Sequence, residues 1–454
     1  LTQILLSFSY SPHTHFILFH YHCAIKNQRI NMKKFSKLLL TTLATLSVFA
    51  QSANAEDYGI RAFYGDKLLD RVVVIDVEKM KFTDEVETVG DDPYPVDQAG
   101  TLDKVYAITR GSNSIDVIDA STLEFMGLIG LEHQPRSSEA YNAVLGLQLV
   151  TGVDKPMASL IDVKTDTVVA TVGDSSFIPP NDYGGSNATG HPYWFTDDKF
   201  ALIDRGSRTI KMYKISKRKG KRGGWHVTLL DTVDTPTAVH HFVKRDTSTL
   251  SGKESISYYA LSEGSPDAGI APSILKYTLQ RNQLNLVGEA SLAETGDSII
   301  AKMGSHHADV HPDGEHMYVG SAEGNTYVIN MKKMEVVKTV EAGAGAGHTT
   351  FVPERNLAVV TNHKDTFVTI IDTTTHTNKK DINVSEGEYS GVILQSHSSF
   401  VHPNMDFFYA FATADGIFYE LDLKTLEVSR EVVTGGTPLQ GVFMCKGAEC
   451  ENLM

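Results

Sequence analysis

The strongest constraint on the fold is a segment of about nine residues that recurs eight times along the chain. Each copy is a short apolar run, often ending in Ile-Asp, followed by a polar turn that contains Thr or Lys. In order, the copies are RVVVIDVEK, NSIDVIDAST, MASLIDVKT, RTIKMYKIS, SILKYTLQ, NTYVINMKK, FVTIIDTTT and IFYELDLKT, spaced by about 42 to 64 residues. Within each copy the apolar residues follow the two-residue period of a strand.

Several copies are preceded by a second strand-like run, such as KVYAITRGSN or HMYVGSAEGN, and no amphipathic helix pattern accompanies them. A repeating unit of about four strands cannot bury its apolar faces alone, so the units must pack against one another. Radial packing of such units closes a β-propeller. The chain is therefore predicted to be all-β, a single propeller with eight blades. Seven blades are the alternative, because the sequence between RTIKMY and SILKYT is irregular.

The beginning of the sequence is predicted to lie outside the propeller. A basic stretch and an apolar run, followed by the small residues Ala53 and Ala55, are typical of a cleavable secretory signal peptide over 32–55. Residues 1–31 are interpreted as upstream sequence translated from an early start. Residues 56–454 then form the propeller domain with a C-terminal Cys-x4-Cys tail, and we expect export to the periplasm.

Charge and cysteine content limit the possible partners. Without residues 1–55, which hold five of the 41 basic residues and no acidic ones, 36 basic residues face 55 acidic ones, a net charge of −19. This excess argues against a nucleic-acid partner.

The remaining sequence has no apolar run of ~18 residues, so no membrane insertion is expected. We also expect a monomer. Cys445 and Cys450 are expected to form a disulfide in an oxidising compartment, with a soft metal site as the alternative.

Histidines recur where the innermost strand of a blade is expected to start. His307, His348 and His397 each stand three positions before the apolar residue taken as the anchor of that strand. His241 and Asp309 stand one position before their own anchors. Positions one and three share strand parity, so these side chains are expected to point the same way, towards the central channel.

His191 and His306 stand four positions before their anchors, beside the same rim of the channel. The choice between His306 and His307, and between His240 and His241, rests on parity alone. Five of the eight blades thus offer an imidazole at one rim. Three or four imidazoles with a carboxylate are a typical Zn²⁺ site, and copper or nickel are less favoured alternatives.

The remaining histidines and one carboxylate are interpreted more conservatively. His311, His363 and His402 are assigned to turns and His316 to a second strand, while His133 is left open as a residue that could reach the rim. Asp97 matches the register of Asp309 in another blade. The alternative for the aligned histidines is a hydrogen-bonded role in a wet channel.

Five segments, GHPYW, VHHFV, SHHADVHPDGEHMYVG, GHTTFVPERNLAVVTN and SHSSFVHPN, resemble the periplasmic zinc metallochaperones of the AztD type. NLAVVTNHKDTFVTIIDTTTHT also resembles the YVTN repeat found in propellers of that kind. The resemblance implies a protein that is not an enzyme, binds Zn²⁺ at the rim of the propeller channel and passes it to the solute-binding protein of a zinc ABC importer.

Other function classes stay open at the level of sequence. The chain has no G-x-S-x-G, H-E-x-x-H, P-loop or C-x-x-C-H motif. A periplasmic metal-dependent propeller enzyme, either a lactonase or an oxidoreductase, is one alternative. A metal-free interaction scaffold is the other, since propellers serve many functions.

Overall fold

In the computed structural model of the protein, residues 57–175, 187–217, 224–246, 256–294, 297–447 and 450 are described. Their strands form eight antiparallel sheets of four strands each. This confirms the prediction of an all-β propeller and selects eight blades over seven. The predicted signal peptide and the segment before it lie outside the described residues. Among the described residues, no helix is long and apolar enough to cross a membrane.

The first four blades follow one another along the chain, and the strands of each run from the innermost outwards. Blade 1 consists of Pro438–Lys446, Gly59–Asp66, Arg71–Asp76 and Lys81–Glu87. Blade 2 consists of Pro93–Gln98, Lys104–Thr109, Ser114–Asp119 and Phe125–Gly130. Blade 3 consists of Pro135–Asn142, Leu147–Gly152, Met157–Asp162 and Thr167–Gly173. Blade 4 consists of Tyr193–Thr196, Lys199–Asp204, Thr209–Lys217 and Trp225–Asp234.

The second four blades have the same order. Blade 5 consists of Val239–Asp246, Ile256–Ser262, Ser273–Gln280 and Gln283–Ser291. Blade 6 consists of Ser305–Val310, His316–Ser321, Asn325–Asn330 and Glu335–Glu341. Blade 7 consists of Ala346–Val352, Leu357–Asn362, Phe367–Asp372 and Thr377–Asn383. Blade 8 consists of Phe400–Val401, Phe407–Ala412, Ile417–Asp422 and Glu427–Val433. Short 3-10 helices are formed by Pro266–Ala268, Ile300–Lys302, Pro353–Arg355 and Thr413–Asp415.

Blade 1 closes the ring because it is assembled from both ends of the propeller sequence. Its innermost strand comes from the C-terminal side and pairs antiparallel with the first strand of the domain, from Gly59 opposite Lys446 to Asp66 opposite Pro438. A disulfide joins Cys445, in this closing strand, to Cys450. The expected Cys-x4-Cys staple therefore lies at the seam of the ring.

The apolar core lies between neighbouring blades, which explains the alternation seen in the repeated segment. In blade 1, Val73 and Ile75 pack in a cluster with residues of blade 8. Val72 and Val74, which point the other way, pack in a cluster with residues of blade 2. Both faces of the inner part of each blade are therefore buried, and each face is buried by a neighbouring blade.

The acidic residue that ends the repeated apolar run caps the following turn. Asp119 Oδ1 accepts hydrogen bonds from the backbone N–H groups of Ser121 and Thr122, at 2.9 and 2.8 Å. Asp372 and Asp422 make the equivalent bonds in blades 7 and 8. Short polar side chains in this position stabilise such turns by mimicking a backbone acceptor.

Candidate metal centre

The innermost strands of blades 5, 6 and 7 share a break in their strand pairing. In blade 5, Val239 pairs with Ser262 and Phe242 pairs with Ala260, so two inner residues oppose one residue of the second strand. Blades 6 and 7 break in the same way, after Ser305 and after Ala346. Such β-bulges redirect side chains near functional sites. We call the two residues after the last paired one the first and second bulge residues.

Blades 4 and 8 have shorter inner strands, and an isolated bridge stands in the place of the last paired residue. An isolated bridge pairs Thr189 with Asp204 in blade 4, and another pairs Gln395 with Ala412 in blade 8. His191 and His397 each stand two residues after the bridge. Five consecutive blades therefore carry a histidine as the second bulge residue, and these are His191, His241, His307, His348 and His397.

This common position differs from the spacing inferred from sequence. The sequence alignment put His241 one position, His191 four positions and His307 three positions before their anchors. Strand pairing instead makes the three residues equivalent, because the apolar residues chosen as anchors are not equivalent: Phe242 in blade 5 matches Ala308 in blade 6, two residues before the anchor Val310. In blades 5 and 6 both members of the His pairs are bulge residues, so strand parity cannot choose between them.

Eight histidines meet in the channel, and their ring-to-ring distances run from 3.6 to 6.1 Å between neighbours. Within this histidine cluster, two groups of three place one nitrogen per ring within 4.8 Å of the others. The first group is His191, His240 and His307, and the second group is His306, His348 and His363. The adjacent residues His306 and His307 belong to different groups.

His363 lies in a turn, as assigned from sequence, but the structure also brings its ring into the second group, which the sequence did not predict. It follows the second strand of blade 7, and its ring occupies the space beside Gly347, the first bulge residue of that blade. A Cβ atom on Gly347 would lie 2.1 Å from Nε2 of His363. One feature of the sequence could have indicated the role of His363. Blade 7 has a glycine at the position that His240 and His306 hold in blades 5 and 6, and this leaves space for another ring.

Hydrogen bonds orient three of these rings from behind. Nδ1 of His240 lies 2.8 Å from Oε1 of Glu263, which in turn accepts bonds from Arg205 at 2.5 and 2.7 Å. His191 bonds Glu139 through Nδ1. A carboxylate that accepts a bond from Nδ1–H leaves Nε2 with a free lone pair, which is the usual support for a metal-binding imidazole.

The third supported ring is His363. Its Nδ1 lies 3.0 Å from the carbonyl oxygen of Gln395, so Nδ1–H is the donor and Nε2 carries the lone pair. Nε2 is buried and has no hydrogen-bond partner among the described residues. Nδ1 of His307 is likewise buried without a hydrogen-bond partner in the described part of the chain. Unpaired buried polar atoms cost free energy, so they indicate a ligand site.

Burial keeps the cluster uncharged. It lowers the pKa of His363 to about 4 and that of His241 to about 3. Burial, reinforced by neighbouring histidines, also lowers the pKa values of His240, His307 and His348 well below the ordinary range. Neutral imidazoles offer lone pairs to a metal ion without proton loss.

Three residues predicted for the site lie beside the two groups without belonging to them. Nε2 of His241 is 3.2 Å from the carbonyl oxygen of Ala308, and its ring stacks on His307 at 4.2 Å. Nδ1 of His397 lies 3.0 Å from the hydroxyl oxygen of Tyr94. Asp309 accepts the backbone N–H of Thr349 at 2.8 Å, and its Oδ1 is 4.0 Å from Nδ1 of His307. Burial raises the pKa of Asp309 to about 7.

Other histidines are accounted for by local bonds away from the cluster. His133 is buried, with Nε2 3.0 Å from Oγ of Ser159. His311 and His316 both contact Asp313, at 3.1 and 2.7 Å. His402 bonds Glu78 at 2.8 Å.

Solvent reaches the cluster through two cavities of about 470 and 450 Å³. Both are lined by Glu139, His191, His307 and Asp309. An ion in the first group would therefore be reachable by another molecule.

No model of a protein family matches the chain, and no curated protein matches it. Solved structures do match. Dihydro-haem d1 dehydrogenase NirN in complex with DHE aligns with a TM-score of 0.58 at 12% identity, over 87% of this chain and 76% of that one. Apo AztD from Citrobacter koseri aligns with a TM-score of 0.53 at 12% identity, over 86% and 98%. A putative 6-phosphogluconolactonase from Bacteroides fragilis aligns with a TM-score of 0.51 at 11% identity, over 72% of this chain and 96% of that one. These likenesses show the propeller fold.

Proposed function

We propose that this protein is a periplasmic zinc-binding chaperone that delivers Zn²⁺ to the solute-binding protein of a zinc ABC importer. The observation that carries the proposal is the convergence of eight neutral histidines from five neighbouring blades, with two groups of three nitrogens. Imidazole suits zinc, copper and nickel, and a site built of neutral imidazoles favours zinc over hard ions such as Mg²⁺. The structural likeness to AztD and the resemblance of the five histidine-bearing segments agree with this choice.

The arrangement suits an ion that is cargo. Three imidazoles leave the fourth position of a tetrahedral zinc site open. The first group also borders both large cavities, so ligands of an acceptor protein could replace His191 and His307 one at a time. A closed site of four cysteines would hold the ion against such exchange.

The proposed location rests on the signal-peptide pattern over 32–55 and on the disulfide. Disulfides persist in oxidising compartments such as the bacterial periplasm. The Cys445–Cys450 bond is consistent with that environment.

The test is a transfer experiment. Zinc-loaded protein is mixed with the metal-free solute-binding protein from the same organism, and the zinc content of each is measured after separation. We expect zinc to move to the acceptor faster than it is lost to an equimolar small chelator. A His307→Ala/His348→Ala variant should bind little zinc, whereas a His402→Ala control should behave like the parent. Equal zinc affinity in the double variant would contradict the proposal.

A second candidate function is metal-dependent catalysis. A metal ion with an open coordination position could bind a water molecule, and Asp309 could take its proton for attack on a lactone. Burial raises the pKa of Asp309 to about 7, which suits a general base. Turnover of lactones by the zinc-loaded protein, lost in Asp309→Asn but not in the His402→Ala control, would favour the enzyme. A protein that binds no metal would favour the interaction scaffold.

A further inference from the structure

Two arginines line the channel next to the histidine cluster. Arg136 follows Pro135 in the innermost strand of blade 3, the position that His240 and His306 hold in their blades. Its side chain is buried, with 2% of the residue exposed. Arg110, from blade 2, lies beside it and stacks over the ring of Tyr94 at 4.0 Å.

Neither guanidinium forms an ion pair within the described part of the chain. Arg110 donates from Nε and Nη2 to the carbonyl oxygen of Arg136, at 3.1 and 2.8 Å. Arg136 donates from Nη1 to the carbonyl oxygen of Thr189 at 2.5 Å, and its Nε is buried with no hydrogen-bond partner among the described residues. A buried guanidinium with no carboxylate in direct contact is costly, so this place favours an anion.

The nearby carboxylates are already engaged by other groups. Glu263 pairs with Arg205 and bonds His240. Glu139 bonds His191 and accepts the hydroxyl of Ser137 at 2.6 Å. Glu263 and Glu139 therefore act on Arg136 only from a distance, and an anion in direct contact with it would come from outside the described chain.

A cavity of about 70 Å³ separates the arginines from the histidines. Its lining includes Arg110 and Arg136 together with all three members of the first group, His191, His240 and His307. A water molecule occupies ~30 Å³ in the liquid, so the cavity holds about two, which is room for an anion of a few atoms.

We propose that this cavity binds a small oxyanion, and that the bound anion strengthens metal binding at His191, His240 and His307. The planar fork of a guanidinium matches the paired oxygens of carbonate, carboxylate or phosphate. The anion also offsets the charge of a divalent ion placed among neutral histidines beside two cationic arginines. The second part of this proposal rests on the proposed function, and the first part does not.

The experiment measures the thermal midpoint of metal-free protein at constant ionic strength, as chloride is replaced by bicarbonate or by inorganic phosphate. We expect one of the two oxyanions to raise the midpoint of the parent by several degrees. Arg136→Gln should abolish this rise, and Arg136→Lys, which keeps the charge but loses the fork, should leave a smaller one. Arg281→Gln, at an exposed position, is the matched control and should respond like the parent.

No rise in the parent with either oxyanion overturns the proposal, as does an equal rise in folded Arg136→Gln. If Arg136→Gln fails to fold, Arg110→Gln replaces it, because Arg110 is less buried, and its rise should be reduced in the same way. Zinc titration with and without the oxyanion tests the second part, with about tenfold tighter binding expected in its presence. If zinc does not bind but the oxyanion does, the proposed function fails and the anion site stands.

Discussion

At the scale of single residues, the candidate site depends as much on a missing side chain as on the histidines. Gly347 leaves the space that His363 fills, and Gln395 supplies the carbonyl that fixes its tautomer. The sequence predicts the histidines that lie on the innermost strands. It does not predict His363, because that ring enters the channel from the turn after the second strand of its blade.

Gly347→Ala tests this role. The added methyl group would clash with Nε2 of His363, so we expect the ring to be displaced and the second group to lose its zinc, while the first group keeps its own. Overpacking of this kind costs about 1–3 kcal/mol, so the blade should still fold. Gly130→Ala is the control, since a Cβ there meets nothing within 4 Å. Unchanged zinc content in Gly347→Ala would show that His363 is not needed.

Glu139→Gln tests the support behind His191. An amide oxygen accepts more weakly from Nδ1–H than a carboxylate does, so Nε2 of His191 should become a weaker ligand. We expect zinc affinity at the first group to fall by about 10–100-fold. Competition with a chromophoric chelator measures the change. An affinity equal to that of the parent would show that Glu139 does not support the site.

At the scale of elements, the repeated Ile-Asp runs are enough to predict strands, blades and their number, because alternation and turn capping are local properties. A bulge is not a local property, because it is defined by which residues of the two paired strands lie opposite each other. The sequence of one strand therefore does not predict it. For this reason the sequence identifies His191, His241 and His307 as candidates but gives them three different registers. The pairing shows a single register.

The closing strand of blade 1 offers a separate test at this scale. Cys445→Ser/Cys450→Ser should lower the free energy of unfolding by about 2 kcal/mol, because the short loop closed by the disulfide gains freedom in the unfolded chain. Denaturant titration measures this. Zinc content should not change, and a loss of zinc would support the alternative that the cysteines bind metal.

At the scale of the whole molecule, burial of the histidines makes the stability of the metal-free protein depend on pH. Ten histidines have pKa values lowered mainly by burial. Below about pH 6.5 these residues are protonated in the unfolded chain while they are still neutral in the folded one. The free energy of unfolding therefore decreases as the pH is lowered. Burial raises the pKa values of Asp97 and Asp309 to about 7 and also raises that of Asp116. These carboxyl groups act in the opposite sense but are three against ten.

We therefore expect the thermal midpoint of metal-free protein to be lower at pH 5.5 than at pH 7.5, by roughly 2 °C for each kcal/mol of stability lost. Differential scanning calorimetry after removal of metal by chelation measures the difference. A midpoint that is equal or higher at pH 5.5 would contradict the burial of neutral histidines.

The most direct test of the histidine cluster as a zinc site is the metal content of the protein purified from its native host without added metal. We predict zinc, up to two ions for each chain, in keeping with the two groups of histidines. His240→Ala/His348→Ala, which removes one ligand from each group, should lower this content sharply. Protein that contains no zinc and takes up none when it is supplied would contradict the central claim, as would a double variant with the zinc content of the parent.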